Sequence, residues 1–233
     1  MRVAALYDVH GNLPALEAVL AEIDDEDVDA IVSGGDLIWG PLPAECLALL
    51  RARDARFLAG NCERDVLAHD RDVDAWCDAR LDDEARAFVA DWPATVEVDG
   101  ALYCHATPRS DTELLTAGTP EDVVAEVLED VDAPLVVCGH THHQYDRVVA
   151  ATRLVNAGSV GLPYEGVAAA FWALVTDDQV ELRRTGYDVA AGLERLRASG
   201  YPGVDELLHA SLVEPMSRDD VIAHWERVAG RAA

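Results

Sequence analysis

The chain has 233 residues, half of them hydrophobic, which is enough to bury the core of one domain. Its 44 acidic residues outnumber 18 basic residues, all of them arginine, and the formal net charge is −26. A surface of that sign repels phosphate backbones and anionic lipids, which argues against a function in binding nucleic acid polymers or membranes.

Short apolar runs alternate with amphipathic segments along the first half of the chain, the pattern typical of an α/β fold. Asp99-Gly100 is a strong hairpin signal and predicts antiparallel strands at 95–98 and 101–104. Thr119 and Pro120 suit the cap and the first turn of a helix. The other strands are predicted at 3–7, 30–33 and 56–59, and the helices at 13–23, 44–53, 83–92 and 119–129.

In the second half, an apolar strand at 134–137 leads into Cys138-Gly139-His140-Thr141-His142. The following segments are predicted to form a β-meander, with a turn at Asp177-Asp178, and the chain then becomes helical. No repeat or linker divides it, so we expect one domain over 1–233, with a core over 1–186 and a helical extension over 187–233. The meander strands are predicted at 144–149, 152–155, 168–176 and 180–184, and the clearest helices of the extension at 189–197 and 218–228.

The cysteines and the N-terminus indicate the compartment. The five cysteines have no paired spacing, which favours free thiols in a reducing environment. Residues 1–7 enter a strand directly and lack the apolar core of a signal peptide, and no apolar run approaches the length that spans a membrane. We therefore expect a soluble cytoplasmic protein.

Side chains with metal-binding chemistry follow the ends of the predicted strands. In open α/β sheets, ligands gather outside the carboxyl ends of the strands, so we expect these side chains to converge. Gly139 is expected to let the backbone bend so that the two histidines after it face one pocket. Carboxylate, imidazole and amide donors suit Mn, Fe, Zn or Co ions, and seven donors are enough for two ions. The seven are Asp8, His10, Asp36, Asn61, His105, His140 and His142.

These residues form D-x-H, G-D, G-N-x-[DE], H and G-H-x-H motifs, and over residues 1–182 they resemble the calcineurin-like metallophosphoesterase superfamily, specifically its small YfcE-type phosphodiesterase branch. The resemblance implies a four-layer αββα sandwich of two mixed β-sheets with a site for two divalent ions (Mn, Fe, Zn, Co or Ni) at the sheet edge. It also implies a ligand assignment, in which Asp36 bridges both ions. One ion would be held by Asp8, His10 and His142, and the other by Asn61, His105 and His140.

Charge arithmetic supports a phosphoesterase. Two divalent ions bring four positive charges, and Asp8, Asp36 and a bridging hydroxide return three, so the site keeps about +1 and attracts a phosphate. We expect that hydroxide to attack phosphorus in line, in a phosphodiester, a dinucleoside polyphosphate or another small phosphoester. The alternatives are a phosphoprotein phosphatase, or a non-catalytic scaffold like the retromer subunit that resembles these enzymes. Homo-oligomer formation is left open.

Asp36, Asn61 and Cys62 form the predicted catalytic group, and Cys62 departs from the family pattern. Many relatives have a histidine at that position, which protonates the leaving group. A thiol with a pKa of about 8.5 is a poor acid, so the departure implies slow turnover or substrates with better leaving groups. The alternative is a small buried turn residue. Glu63 is interpreted either as a support of the metal ligands or as an acid at a helix N-terminus.

Three residues are candidates for substrate binding. Asn12 resembles a family residue that touches the phosphate, and otherwise forms an Asx turn. Arg109 is expected either to clamp a second phosphate or to pair with Asp111. Tyr164 would stack on a base or pack against Trp39. The apolar residues of the extension need a surface to cover, either as a layer of the core or as a lid over the site.

Overall fold

The computed structural model describes residues 1–177 and 179–231. Within them, ten strands form two five-stranded sheets, in the orders β10-β9-β1-β2-β3 and β4-β5-β6-β8-β7. Each sheet contains both parallel and antiparallel pairs. The strands are β1 (Val3–Leu6), β2 (Ala30–Ser33), β3 (Arg56–Phe57), β4 (Thr95–Val98), β5 (Ala101–Cys104), β6 (Leu135–Cys138), β7 (Tyr145–Val149), β8 (Thr152–Asn156), β9 (Ala170–Val175) and β10 (Val180–Thr185).

Helices cover both outer faces of the paired sheets. Among the described residues, no helix is long and apolar enough to cross a membrane. A π-helix, His209–Val213, continues directly from α8. The α-helices are α1 (Leu13–Asp24), α2 (Pro43–Arg51), α3 (Asn61–Ala68), α4 (Asp72–Asp78), α5 (Asp83–Ala90), α6 (Glu121–Val127), α7 (Val189–Arg197), α8 (Val204–Leu208) and α9 (Arg218–Val228).

The alternation of side chains along β1 shows how the layers stack, because successive strand residues point to opposite faces. Ala5 lies in a core cluster between the sheets with Tyr103 of β5, whereas Leu6 lies in a cluster with Leu16 of α1. A third cluster joins the outer face of the second sheet to α6, through Val124. The layers are therefore helix, sheet, sheet and helix, which confirms the predicted four-layer αββα sandwich.

The predicted β-meander is wrong, because its strands divide between the two sheets. β7 and β8 pair with each other, and β8 also lies parallel to β6. β9 instead pairs with β1 in the other sheet and carries β10 at the edge. Asp178, in the predicted turn between β9 and β10, lies outside the described residues.

Helix α6 begins two residues later than predicted. Its N-cap is Pro120, and its first residue is Glu121. The expected cap, Thr119, has another partner for its hydroxyl, which accepts the backbone N–H of Thr116 at 2.8 Å and donates to Glu226 of α9 at 2.6 Å. A contact with the distant end of the chain therefore replaces the local cap.

The C-terminal extension packs beside the loops that follow β8. A buried cluster joins Leu196 of α7, Leu208 of α8 and Leu212 of the π-helix to Leu162, which follows the glycine-rich segment 156–161. Further along, the ring of Tyr201 lies 5.9 Å from that of Trp39. The extension thus forms a packed layer and also adjoins the predicted metal-binding loops.

Candidate metal centre

Six of the seven predicted ligands lie on loops that follow strands at one edge of the two sheets, and the seventh, Asn61, is the first residue of α3. Five of them have a left-handed backbone, with φ of 52° at Asp8, 47° at His10, 53° at Asp36, 67° at His140 and 59° at His142. Residues other than glycine seldom adopt this conformation, and where they do it often marks a functional site. The backbone itself links two of these loops, because the N–H of His10 donates to the carbonyl of Asp36 at 2.9 Å.

Asp8, His10 and His142 form the first group. Nε2 of His142 lies 3.2 Å from Oδ1 of Asp8 and 3.1 Å from Nε2 of His10, and the third side of this triangle is 3.9 Å. The point equidistant from these three atoms lies about 2.0 Å from each of them. This distance is close to the length of zinc–nitrogen and zinc–oxygen bonds, roughly 2.0–2.2 Å. Nδ1 of His142 donates to the carbonyl of Leu162 at 2.7 Å, so in the neutral ring Nε2 presents a lone pair. That lone pair and the carboxylate face each other, an arrangement that a cation fits.

The second group contains Asn61, His105, His140 and one oxygen of Asp36. Nε2 of His105 lies 3.5 Å from Oδ1 of Asp36, and its Nδ1 donates to the carbonyl of Gly34 at 2.9 Å. One terminal atom of the Asn61 amide lies 3.2 Å from both Nε2 of His105 and Nδ1 of His140. A metal ion requires the amide oxygen at that position, and the resulting donor set of carboxylate, amide and two imidazoles fits a divalent ion.

Asp36 lies between the two groups. Its Oδ2 is 3.8 Å from Nε2 of His10, and its Oδ1 is 3.5 Å from Nε2 of His105. Each oxygen of one carboxylate therefore faces a different group. This geometry suits a ligand shared by two ions.

The cluster is buried and attracts positive charge. Burial would raise the pKa of Asp8, but the charge of His142 and its hydrogen bond outweigh burial and lower that pKa. Burial would also raise the pKa of Asp36, but the charge of His105 and its hydrogen bond bring that pKa well below the usual range. Burial lowers the pKa of His105, but Asp36 reverses the effect and raises it to about 10. Burial and the charge of His142 lower the pKa of His10 to about 4. Two buried carboxylates thus need compensating charge, which divalent cations supply.

Glu63 holds the loop that carries Asp36. Its side chain is buried and accepts the backbone N–H groups of Asp36, Leu37 and Gly60, each at 2.8 Å, and that of Ile38 at 3.3 Å. Burial, followed by the charge of Asp36, raises the pKa of Glu63. The geometry is consistent with both interpretations of this residue, since Glu63 lies in the first turn of α3 and also holds the backbone of a predicted metal ligand.

Gly139 allows a close approach rather than a bend. A Cβ atom at this position would stand 2.5 Å from Oδ2 of Asp8, closer than side chains tolerate. The same oxygen accepts the backbone N–H of His140 at 2.8 Å. The sequence analysis missed Asn156, which donates to the carbonyl of Gly139 at 2.6 Å and to the hydroxyl of Thr141 at 3.1 Å. Its position at the end of β8, before the glycine-rich segment, was the available signal.

Cys62 lies within the cluster. Its backbone N–H donates to Oδ1 of Asp36 at 2.9 Å, and its sulfur lies within 4.8 Å of the nearest donor atoms of His10 and Asp36. Burial, followed by the charge of Asp36, raises the pKa of the thiol well above its ordinary value. The thiol is therefore an even weaker proton donor here than a free cysteine. All five cysteines are buried and unpaired.

Two of the residues predicted to contact the substrate, Asn12 and Tyr164, contact other residues of the protein. Asn12 is fully buried, caps α1 by accepting the N–H of Ala15 at 3.2 Å, and donates to the carbonyl of Gly161 at 2.8 Å. Both ends of its amide thus hold the loop, as the structural alternative expected, and the phosphate contact stays a prediction. Tyr164 stacks on His142, with ring centroids 5.2 Å apart, whereas the ring of Trp39 packs against His10 and Tyr201.

Arg109 lines a cleft next to His105. Its guanidinium pairs with Glu113 at 2.7 Å, whereas its predicted partner Asp111 pairs with Arg64. The cleft measures about 330 Å3, and the indole N–H of Trp92, which also lines it, is buried without a partner among the described residues. The cleft thus combines two guanidinium groups, an aromatic ring and one predicted metal ligand.

Comparison with known proteins extends these observations. A family model described as the calcineurin-like phosphoesterase superfamily domain matches residues 1–179. The uncharacterised protein MJ0912 of Methanocaldococcus jannaschii is 26% identical in an alignment 232 positions long, which covers 86% of this chain and 93% of that protein. A metallophosphoesterase structure from Sphaerobacter thermophilus is 26% identical, with a TM-score of 0.76, over 91% of this chain and 99% of that one. The E. coli phosphoesterase YfcE shares the fold, at 19% identity and a TM-score of 0.50, over 81% of this chain and all of its own.

Proposed function

Because the chain belongs to the calcineurin-like phosphoesterase superfamily, we propose that its cluster of carboxylates and imidazoles binds two divalent ions and hydrolyses phosphoesters. The observation that carries the proposal is the position of Asp36, whose two oxygens face two separate groups of donors. The ions would be Mn, Fe, Zn, Co or Ni, since the donors are imidazole, carboxylate and amide groups without a thiolate.

The residues of the chain have distinct tasks in this reaction. When bound, two divalent ions generate a nucleophile at neutral pH and offset the charge of the phosphoryl oxygens. Asp8 and Asp36 leave the loaded site with a net positive charge, so it attracts an anionic substrate into a strongly acidic protein. The carbonyls of Gly34 and Leu162 fix His105 and His142 in the tautomer that presents Nε2 to the cluster.

The class of substrate depends on whether its leaving group needs a proton. Cys62 occupies the place of the expected acid, and burial weakens its thiol as a proton donor. Substrates whose leaving group needs no proton, such as a phosphate of a polyphosphate chain, suit this site. The cleft with Arg64, Arg109 and Trp92 offers room for groups beyond the reacting phosphorus, and a phosphate there would take the place of the carboxylates that now pair with the two guanidinium groups. We therefore infer a small phosphodiester or a dinucleoside polyphosphate as substrate. The five free cysteines favour an enzyme that works in the cytoplasm.

Hydrolysis and metal dependence test the proposal directly. Protein purified without added metal is assayed with bis-p-nitrophenyl phosphate after addition of Mn2+, and again after EDTA. His142→Gln should lower activity at least about 100-fold, because even outer partners of metal ligands are worth about 10–100-fold. His69→Gln, at an exposed histidine outside the cluster, is the matched control and should stay within about twofold. A protein that binds no metal and does not hydrolyse bis-p-nitrophenyl phosphate would instead be the non-catalytic scaffold.

A further inference from the structure

One buried carboxylate of the C-terminal extension contacts the loop formed by residues 114–119. Oε1 of Glu226, on α9, accepts hydrogen bonds from the hydroxyls of Thr116 and Thr119, both at 2.6 Å. The backbone N–H of Thr116 also donates to the Thr119 hydroxyl, at 2.8 Å. Glu226 therefore fixes both threonines at one point, and its own side chain is only 11% exposed.

The end of the chain strengthens this contact. Arg231 donates to Oε2 of Glu226 at 2.7 Å and, through a second nitrogen, to the carbonyl of Leu114 at 2.7 Å. Gly118 lets α9 approach closely, since a Cβ there would stand 2.9 Å from Cγ2 of Ile222. The 114–119 loop and α9 thus form one packed and hydrogen-bonded unit.

The same loop holds the segment that carries two predicted metal ligands. Thr141, between His140 and His142, is buried and donates its hydroxyl to the carbonyl of Leu115 at 3.0 Å. The backbone N–H of Ala117 donates to Nε2 of the buried His143 at 3.2 Å. Both histidine ligands in this segment have a left-handed backbone, a conformation that persists only where the surroundings hold it.

We propose that Glu226 is a positioning residue for the metal centre, acting through the 114–119 loop on the segment of His140 and His142. The inference rests on the proposed function, because the segment matters only if it binds metal. Loss of the Glu226 carboxylate frees both threonine hydroxyls and loosens the loop. The carbonyl of Leu115 and the N–H of Ala117 then no longer hold Thr141 and His143 in place.

Metal affinity tests the proposal on the full chain. Protein stripped of metal is titrated with Co2+ and followed by visible absorption. Glu226→Ala should raise the Kd for Co2+ about 10-fold or more, in the range found for outer partners of metal ligands. Glu226→Gln keeps a carbonyl oxygen for both threonines and should stay within about threefold of wild type. Ile31→Ala, at the start of β2 and away from the metal edge, controls for lost stability and should leave the Kd unchanged.

Hydrogen exchange in the metal-free protein gives a readout independent of hydrolysis and of metal. Glu226→Ala should speed amide exchange in residues 139–143, and Ile31→Ala should not do so selectively. If Glu226→Ala does not fold, Thr116→Val removes one of the two hydroxyl contacts and should show the same selective change. Equal Kd values and equal exchange in Glu226→Ala and Ile31→Ala overturn the proposal. If the wild type binds no Co2+, the proposed function fails, and the exchange data alone decide whether the coupling exists.

Discussion

Replacing Glu63 with glutamine should destabilise the fold by about 2–6 kcal/mol. Oε1 of Glu63 accepts the N–H groups of Leu37 and Ile38, and Oε2 accepts those of Asp36 and Gly60. Glutamine keeps one oxygen and turns an NH2 group towards the other pair of donors. Two buried N–H groups then lose their acceptor, at about 1–3 kcal/mol each. The damage falls on the loop of Asp36, so metal affinity should drop as well.

Urea unfolding, with the metal-free proteins compared at pH 7, measures this loss. Glu121→Gln is the matched control, because Glu121 is exposed in the first turn of α6, and it should change stability by less than about 0.5 kcal/mol. A Glu63→Gln protein as stable as this control would show that the four hydrogen bonds do not hold the loop. Isothermal titration with Mn2+ then tests whether the remaining folded protein binds metal more weakly.

The remaining predictions concern the leaving group, the pH dependence of stability and the extension. Cys62→His should speed hydrolysis of alkyl phosphodiesters more than of bis-p-nitrophenyl phosphate, whose leaving group needs no proton; equal effects on both would make the position structural. Burial raises the pKa of Glu226, but Arg231 and two threonines lower it to about 2. Because this folded-state pKa is depressed, Glu226 stabilises the fold above about pH 4.5 and loses that contribution as the pH falls towards 2. Urea unfolding over this range should therefore show a steeper decline for wild type than for Glu226→Gln, and parallel curves would contradict the prediction. Removing the residues after Tyr187 exposes Leu162 and its cluster, so the truncated chain should unfold or aggregate; a stable truncation with unchanged substrate preference would refute both a structural role and a lid.

The residues predicted to bind metal lie together in the structure because each motif residue follows a strand. Asp8 and His105 come directly after apolar runs, Asp36 follows a strand after two glycines, and parallel strands bring their carboxyl ends to one edge. The hairpin around Asp99-Gly100 was also predicted at the observed residues, because the turn type is encoded locally. Local signals therefore sufficed for the strand ends and for the order of the ligands along the chain.

Contacts between distant parts of the chain could not be predicted in this way. The strands predicted as a meander, β7 to β10, could belong to either sheet by their sequence pattern. Only the pairing of β9 with β1 and of β8 with β6 assigns them to different sheets. Arg109 has two acidic neighbours in the sequence, Asp111 and Glu113. Because Asp111 pairs with Arg64, Arg109 pairs with Glu113. The role proposed for Glu226 depends on a loop more than a hundred residues away, which no local pattern reveals.

The number of metal ions bound per chain tests the central claim most directly. Native mass spectrometry and elemental analysis of Mn2+-loaded protein should give two ions per chain for the wild type. Asp36→Asn should lose both metal and activity, because it removes a charge that the two groups share. A wild-type protein with at most one ion per chain, or an Asp36→Asn variant that keeps two ions and normal turnover, would contradict the dinuclear centre.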